Sequence, residues 1–190
     1  MLAFLLSPTF FGLYSIAIRL VSSVYLLVSN YLSFYEPKFY DHGSNGVKSS
    51  SEFGKHVLSK LSNKVIILII SLISFSLISY LVAGSVWFKQ LDLIENFDLE
   101  NLQLNILLFS ILIISIYPIT KLWISLYVLN GANLEKDRAI LLFILSFFSA
   151  CFIGAFSLLG DFGGIFGVVL NLYFASAVLN KYLNFKVKNE

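Results

Sequence analysis

The sequence predicts an all-α, polytopic transmembrane helix bundle with about five spans, and residues 1–190 form a single membrane domain in this prediction. Three observations support this fold class. Charged residues make up only 13% of the chain, about half of what a soluble surface carries, and 58% of the residues are hydrophobic. The apolar residues form runs long enough for a helix to cross a bilayer, which takes about 20 residues. The hydrophilic segments between these runs alternate in charge.

This alternation of charge predicts the orientation of the chain. Of the 13 lysines and arginines, all but Arg19 and Lys89 lie in three segments, at residues 38–64, 121–138 and 181–188. The connection between the second and third apolar runs is acidic instead. Because basic loops are retained in the cytoplasm, we expect an external N-terminus and a cytoplasmic C-terminus.

The first apolar run, residues 2–35, is longer than one span needs and contains Arg19. Two placements compete. In the one we favour, residues 10–33 span and Arg19 lies within the membrane. In the other, residues 2–20 span, Arg19 reaches the inner interface and residues 21–35 lie along the surface. The second placement is electrostatically less costly, but residues 21–35 contain no charge to hold them among the headgroups.

Four further spans are predicted after the first, over residues 65–88, 104–127, 139–159 and 163–182. Each run is too long for a β-strand and lacks a period of two, so helices are expected. The last two spans are joined by so short a connection that they form a tight hairpin. Asp161 lies in this turn and is placed to act as the N-cap of the fifth helix.

A hydrophilic segment at residues 36–63 separates the first two spans and predicts a short amphipathic helix. Its apolar residues recur at helical spacing and lysines surround them: Phe53, Val57, Leu58 and Leu61, with Lys55, Lys60 and Lys64. Such a helix can lie on the inner leaflet with its lysines facing anionic headgroups. An ordinary solvated helix explains the same pattern equally well.

Arg19 is the one ionisable residue expected within a span. An intramembrane charge is a functional-site hypothesis, because burying it costs at least about 2.5–3.5 kcal/mol. Its partner within the chain could be hydroxyl and carbonyl groups, or Asp161 if the first span lies low in the membrane. The partner could instead be an acidic residue of another subunit or a lipid phosphate. The alternative is that Arg19 snorkels to the membrane boundary.

One face of the fifth span is lined by small residues and an asparagine at helical spacing: Gly160, Gly164, Gly167, Asn171 and Ala175, with Gly163 adding a second GxxxG spacing. Small residues let helix backbones approach closely in lipid, and an asparagine can hydrogen-bond across the interface. The fourth span offers Ala150 and Gly154 as an opposing surface. The face predicts either packing within the chain or contact between subunits.

No motif in the sequence predicts catalysis. The two histidines, His42 and His56, both lie in the first hydrophilic segment, and metal-ligand and nucleophile motifs are absent from the sequence. We therefore expect no catalytic residue, cofactor or metal. A net charge of +2, spread over membrane-flanking loops, gives no reason to expect nucleic-acid binding.

The features together predict a non-catalytic integral membrane subunit or accessory protein that acts through helix packing within a larger assembly. A small transporter or channel component for a neutral or anionic solute is one alternative, with Asn105, Asn171 and Arg19 lining the path. An immunity or exclusion protein is another. Expected partners are the bilayer and other membrane subunits, or further copies of the chain. The topology fits a bacterial inner membrane most directly, and an organellar membrane is also allowed.

Overall fold

The computed structural model describes residues 6–84 and 99–189, and helices make up nearly all of these two ranges. The helices are α1 (Pro8–Ser33), α2 (Glu36–Gly43), α3 (Val47–Gly84), α4 (Leu99–Ile113), α5 (Ile116–Gly131), α6 (Glu135–Ser157) and α7 (Asp161–Lys188). No strand occurs in the described ranges, so the predicted all-α class is confirmed. The acidic connection and the end of the second predicted span, beyond residue 84, lie outside the described residues.

Within the described residues, five helical segments are long and apolar enough to cross a membrane: α1, α3, the segment formed by α4 and α5, α6, and α7. This number agrees with the five predicted runs and is compatible with an integral membrane protein. Helix α1 continues without a break from Pro8 to Ser33. The alternative placement of the first span needs the chain to turn after residue 20, and the helix has no such turn.

Helix α3 corrects the prediction of a separate helix on the inner leaflet. It is one helix of 38 residues, so the basic segment continues along the axis of the second span. The apolar side of this segment faces protein rather than lipid. Val57 and Leu61 are buried, and Phe53 packs edge-on against Phe39 of α2 at 4.9 Å. The apolar side of this segment, which suggested contact with lipid, is therefore covered by α2 and α5.

The third span is interrupted by a turn at residues 114–115, where α4 meets α5. Pro118 has no backbone N–H, so it cannot bond to the carbonyl of Ile114 one turn earlier. The hydroxyl of Tyr173 in α7 donates to this carbonyl at 3.4 Å instead. On the other side, the hydroxyl of Tyr25 in α1 hydrogen-bonds with the Ser115 hydroxyl. Side chains of both α1 and α7 therefore bond to this turn.

Helices α5 and α7 occupy the middle of the bundle, and α6 lies at its edge. Of the five spans, α7 is the most buried and α6 the least. The only fully buried side chain of α6 is that of Leu145, while Phe143 is 77% exposed. Such an apolar surface suits contact with lipid chains. The connection at residues 158–160 is short, and α6 and α7 pack closely along their lengths.

The basic segments meet at one end of the bundle. Lys186 of α7 forms an ion pair with Asp137 of α6 at 2.8 Å. Helix α2 packs against the end of α5 with almost no space between backbones. A Cβ atom added to Gly43 would lie 1.9 Å from the carbonyl oxygen of Gly131. Only glycine permits so close an approach, and α2 therefore packs directly against the end of the third span.

At the opposite end, the role predicted for Asp161 is wrong. Asp161 is the first residue of α7, and Gly160, at a φ of 93°, precedes it as the N-cap residue without a side-chain bond. The Asp161 carboxylate reaches α1 instead and accepts hydrogen bonds from the N–H and Oγ of Ser7 at 2.9 and 2.6 Å. The carboxylate bonds to α1 because the N-terminal ends of α1 and α7 lie next to each other in the fold.

Candidate functional site

The side chain of Arg19 lies on the outer surface of the bundle, near the middle of a helix that is long and apolar enough to span a membrane. Helix α1 has 26 residues and is therefore about 39 Å long, against a hydrocarbon thickness of about 30 Å. Arg19 is the twelfth of these residues and is exposed. Its Cα is about 16 Å along the axis from Pro8 and farther from Ser33. Either end of the helix is beyond the reach of an arginine side chain.

Arg19 forms no ion pair or side-chain hydrogen bond with any of residues 6–84 and 99–189. The exposed surface around it on α1 is mixed, with the apolar side chains of Ile16 and Leu20 beside small and polar residues. Ser22 and Ser23 lie beside it on α1, Gly12 lies two turns before it and Leu26 two turns after it, and all four are exposed. We call these five exposed residues of α1 the Arg19 face. A Cβ atom added to Gly12 would meet nothing within 4 Å, so this face is open.

Sequence reasoning identified Arg19 but missed the residues beside it. Gly12, Ser22 and Ser23 recur with Arg19 at spacings of three, four and seven, which place residues on one helix face. This signal is present in the sequence. What the sequence lacks is the information that the face points away from the bundle.

The small residues of α7 pack within the chain. A Cβ atom on Gly163 would lie 2.3 Å from the carbonyl oxygen of Phe156, and one on Gly167 would lie 2.8 Å from the Phe156 Cβ. Gly164 and Ala175 are buried in the bundle. Gly160 is exposed in the turn, where an added Cβ would have open space around it.

Asn171 joins the two helices of the hairpin through its side chain. It is 7% exposed, and its Nδ2 donates to the Oγ of Ser149 at 2.7 Å. Three residues of α6 contact this face: Ser149, Ile153 and Phe156. Phe156 and Ile153 fit there because the glycines of α7 leave room for them.

The three lysines of the predicted amphipathic helix are exposed on α3. The Nζ of Lys64 lies 5.6 Å from the centre of the Tyr31 ring, a cation–π distance that ties α3 to the end of α1. Lys55 borders a crevice of about 80 Å³ that Lys121 of α5 also lines. Lys60 is exposed to solvent on the same helix. These residues form a basic surface, not a closed anion site.

The ion pair at the basic end shifts the protonation of its two partners. Hydrogen bonds from Lys186 and, at 2.5 Å, from the hydroxyl of Tyr182 hold the pKa of Asp137 below its usual range. The same bond to Asp137 raises the pKa of Lys186 above its usual value. Both residues lie beyond the predicted spans, and their charges join the start of α6 to the end of α7.

The described residues bring together no cluster of side chains that could hold a metal ion. Among residues 6–84 and 99–189, no three His, Cys, Asp or Glu side chains are grouped as metal ligands. His42 stacks on Phe53 at 4.5 Å and contacts the Ser49 hydroxyl, which is a packing role. Cys151 is exposed on α6.

The structure also separates the three residues that were expected to line a solute path. Arg19 points outward from α1 and Asn171 bonds to Ser149 inside the hairpin. Asn105 lies on α4, in a cavity that neither of the other two lines.

No family model, curated protein or solved structure matches this chain.

Proposed function

We propose that this chain is a non-catalytic integral membrane subunit or accessory protein, and that its Arg19 face binds a membrane helix of another protein that carries an acidic residue. The observation that supports this proposal is the position of Arg19: near the middle of a spanning helix, exposed, and unpaired within the described part of the chain.

The energetic argument concerns the free energy of burying the guanidinium. A lone arginine at the centre of a helix costs at least about 2.5–3.5 kcal/mol on insertion scales, and hydration through snorkelling lowers this only near a boundary. A carboxylate at the same depth compensates the charge and accepts two hydrogen bonds from the planar guanidinium. Binding of a helix that carries an acidic residue therefore offsets the free-energy cost of burying the Arg19 guanidinium, which the isolated chain still bears.

The residues around Arg19 suit contact with a helix. Gly12, Ser22 and Ser23 present little side-chain volume, so a partner backbone can approach closely, which is how helices associate in lipid. Leu26 extends the face with apolar surface and is 61% exposed. A contact along this face would cover four turns of α1.

A second copy of the same chain is a poor occupant of this face. A two-fold symmetric contact places the same patch on both subunits. Two Arg19 side chains would then meet in a medium of low dielectric, where like charges repel strongly. We therefore assign the partner to a different protein.

We infer the orientation of the complex in the membrane from the distribution of its basic residues. The three basic segments meet at one end of the bundle, where the ion pair between Asp137 and Lys186 lies, and we place this end in the cytoplasm. The end at which Ser7 meets Asp161 is then external. A bacterial inner membrane is the setting that this arrangement suits best.

The test is purification of the full chain from its native membrane in mild detergent, followed by mass spectrometry of the proteins retained. Wild type is compared with Arg19→Leu, which removes the charge, and with Gly12→Leu, which blocks close approach. Ser146→Leu on the exposed side of α6 and Lys181→Leu on α7 are the matched controls, because they change a small residue and a charge elsewhere.

We expect both face variants to lose a protein that both controls retain, and we expect that protein to have an Asp or Glu within a membrane helix. Exchanging the charges, with Arg19→Glu here and the partner's acid changed to arginine, should restore retention. If the retained proteins are the same in all variants, or if the lost protein has no intramembrane acid, the proposal is wrong.

A further inference from the structure

A cavity of about 730 Å³ lies between α1, α3 and α4, in the half of the bundle away from the basic end. Its walls are apolar for the most part, with Leu13 and Ile16 from α1, Phe75 from α3 and Phe109 from α4. Ile16 and Phe75 are 53% and 67% exposed, so the cavity opens sideways on the surface that faces lipid. Its volume is in the range of small-molecule sites, about 300–1,000 Å³.

Two polar atoms in this cavity lack hydrogen-bond partners. Ser76 is 2% exposed, and its Oγ has no partner among the described residues. The Oδ1 atom of Asn105 is buried and also has none there. Leaving a buried polar group unsatisfied costs about 1–3 kcal/mol. Ser76 and Asn105 line the same cavity, so one occupant can reach both.

The behaviour of Ser76 differs from that of other hydroxyl residues in the spans. A serine within a helix can donate to the carbonyl four residues earlier. The hydroxyls of Ser110, Thr120 and Ser146 do so at 2.7–2.9 Å. Ser76 does not make this bond, and its hydroxyl remains available to the cavity.

We propose that this cavity binds a neutral lipid-like amphiphile through a hydroxyl group of the ligand. This hydroxyl donates a hydrogen bond to the Oδ1 of Asn105 and accepts one from the hydroxyl of Ser76. The acceptor on Asn105 requires a donor on the ligand, and a hydroxyl both donates and accepts. The ligand is neutral because none of the described residues that line the cavity is Asp, Glu, Lys, Arg or His. Its body is apolar because the walls are apolar, and it enters laterally from the bilayer.

The test uses the full chain purified in detergent micelles and two photoreactive probes. One is a long-chain primary alcohol that carries a diazirine, and the other is its methyl ether, which lacks the donor. Sites of labelling are located by mass spectrometry of peptides. We expect the alcohol to label the walls of the cavity on α1, α3 and α4 about tenfold more than the ether, since loss of one or two hydrogen bonds at about 0.5–1.5 kcal/mol each has this size.

Two kinds of variant keep the test decisive. Ser76→Ala with Asn105→Leu removes both polar partners and should lower alcohol labelling about tenfold, to the level of the ether. Ile16 lies at the exposed opening of the cavity, where a larger side chain can be tolerated. Ile16→Trp should therefore block labelling by both probes. Ser146→Ala, outside the cavity, should leave labelling unchanged, and so should Arg19→Leu, which separates this inference from the proposed partner contact.

Equal labelling by the alcohol and the ether would overturn the proposal, because the cavity would then accept acyl chains without discrimination. Labelling that persists in the Ser76 and Asn105 double variant would also overturn it. Labelling only outside the three helices would show that the cavity is occupied by protein rather than by an amphiphile.

Discussion

Asp161 accepts two hydrogen bonds from Ser7, one from the backbone N–H and one from Oγ, so a single carboxylate lies where α1 and α7 both begin. The first N–H groups of a helix are free and carry a partial positive charge. A carboxylate between two such ends is stabilised by both. Phe10 and Phe162 pack edge to face beside it, with ring centres 5.0 Å apart. This contact sets α1 and α7 parallel.

The first prediction concerns this contact. We expect Asp161→Ala to lower stability by about 0.5–1.5 kcal/mol, the usual net contribution of a hydrogen bond, and to loosen the start of α1. Asp161→Asn retains one acceptor oxygen and should lose less. Thermal unfolding in detergent at neutral pH measures the difference. Ser157→Ala, whose hydroxyl bonds only within α6, is the control, and an equal effect in the control would refute the role of Asp161.

The second prediction concerns the approach of α2 to α5. We expect Gly43→Ala and Gly131→Ala each to destabilise the protein by at least about 1–3 kcal/mol, as overpacking does, because the new methyl group would overlap the backbone of the other helix. An added Cβ would lie 1.9 Å from the Gly131 oxygen in the first variant and 2.2 Å from the Phe39 oxygen in the second.

Gly12→Ala is the matched control for both glycine variants. Its Cβ would enter open space in the middle of a helix, so stability should stay the same or rise by up to about 1 kcal/mol through helix propensity. Thermal unfolding of the three variants side by side decides the matter. A similar loss of stability in all three variants would mean that the close contact between the backbones of α2 and α5 does not cause the effect.

The third prediction concerns Asn171 and Ser149. We expect a double-mutant cycle with Asn171→Leu and Ser149→Ala to give a coupling energy of about 0.6 kcal/mol, and at most about 1.7, as found for hydrogen bonds between membrane helices. Steric trapping in bicelles measures the unfolding free energies. Asn171→Leu with Ser146→Ala should be additive, because Ser146 bonds to its own helix at Leu142. Additivity in both cycles would contradict the prediction.

The fourth prediction concerns pH. The pKa of Asp137 is lowered in the folded protein, so below the carboxyl's unfolded value of about 3.9 the unfolded chain binds more protons. The contribution of the pair to stability is therefore present at neutral pH and is lost as pH falls through the folded pKa of Asp137. The pKa of Lys186 is raised, so the contribution is also lost at high pH, above about 10.4.

Hydrogen exchange at the second turn of α6, the first whose amide groups all bond within the helix, reports this change directly. We expect protection there to be constant between about pH 5 and 9, after correction for the intrinsic rate, and to fall at lower pH. Lys186→Met should reduce the acid dependence to the part that the Tyr182 hydroxyl maintains, whereas Lys181→Met, which changes an exposed lysine on the same helix, should preserve it in full. An acid dependence in Lys186→Met as large as in the wild type would contradict this assignment.

Some of the architecture could be predicted from residue patterns because it depends on local properties. An apolar run of about 20 residues has to become a helix in a bilayer, since no water is available to its backbone groups. The spacing of Gly163, Gly167 and Asn171 likewise predicts a face on which another helix can pack closely, because it follows from the helical period alone. The position of Arg19 within the first run is also visible in the sequence.

The errors arose where residues from distant parts of the chain meet. Asp161 was expected to cap its own helix, but it bonds to Ser7, 154 positions away. The apolar side of residues 47–63 was consistent with lipid or protein, and only the presence of α2 and α5 decides for protein. No local pattern predicts that Gly43 and Gly131 approach each other, because the contact depends on how two separate helices are placed.

The sequence by itself therefore determined that the chain is helical and how many of its segments can cross a membrane, since hydrophobicity and backbone hydrogen bonding act within each segment. Only the tertiary structure decided that Arg19 faces outward, that Asn171 is already bonded within the hairpin, and that Ser76 and Asn105 share a cavity. The physical reason is that these properties depend on which side of a helix is covered by a neighbour. That coverage is the combined result of packing among all the helices.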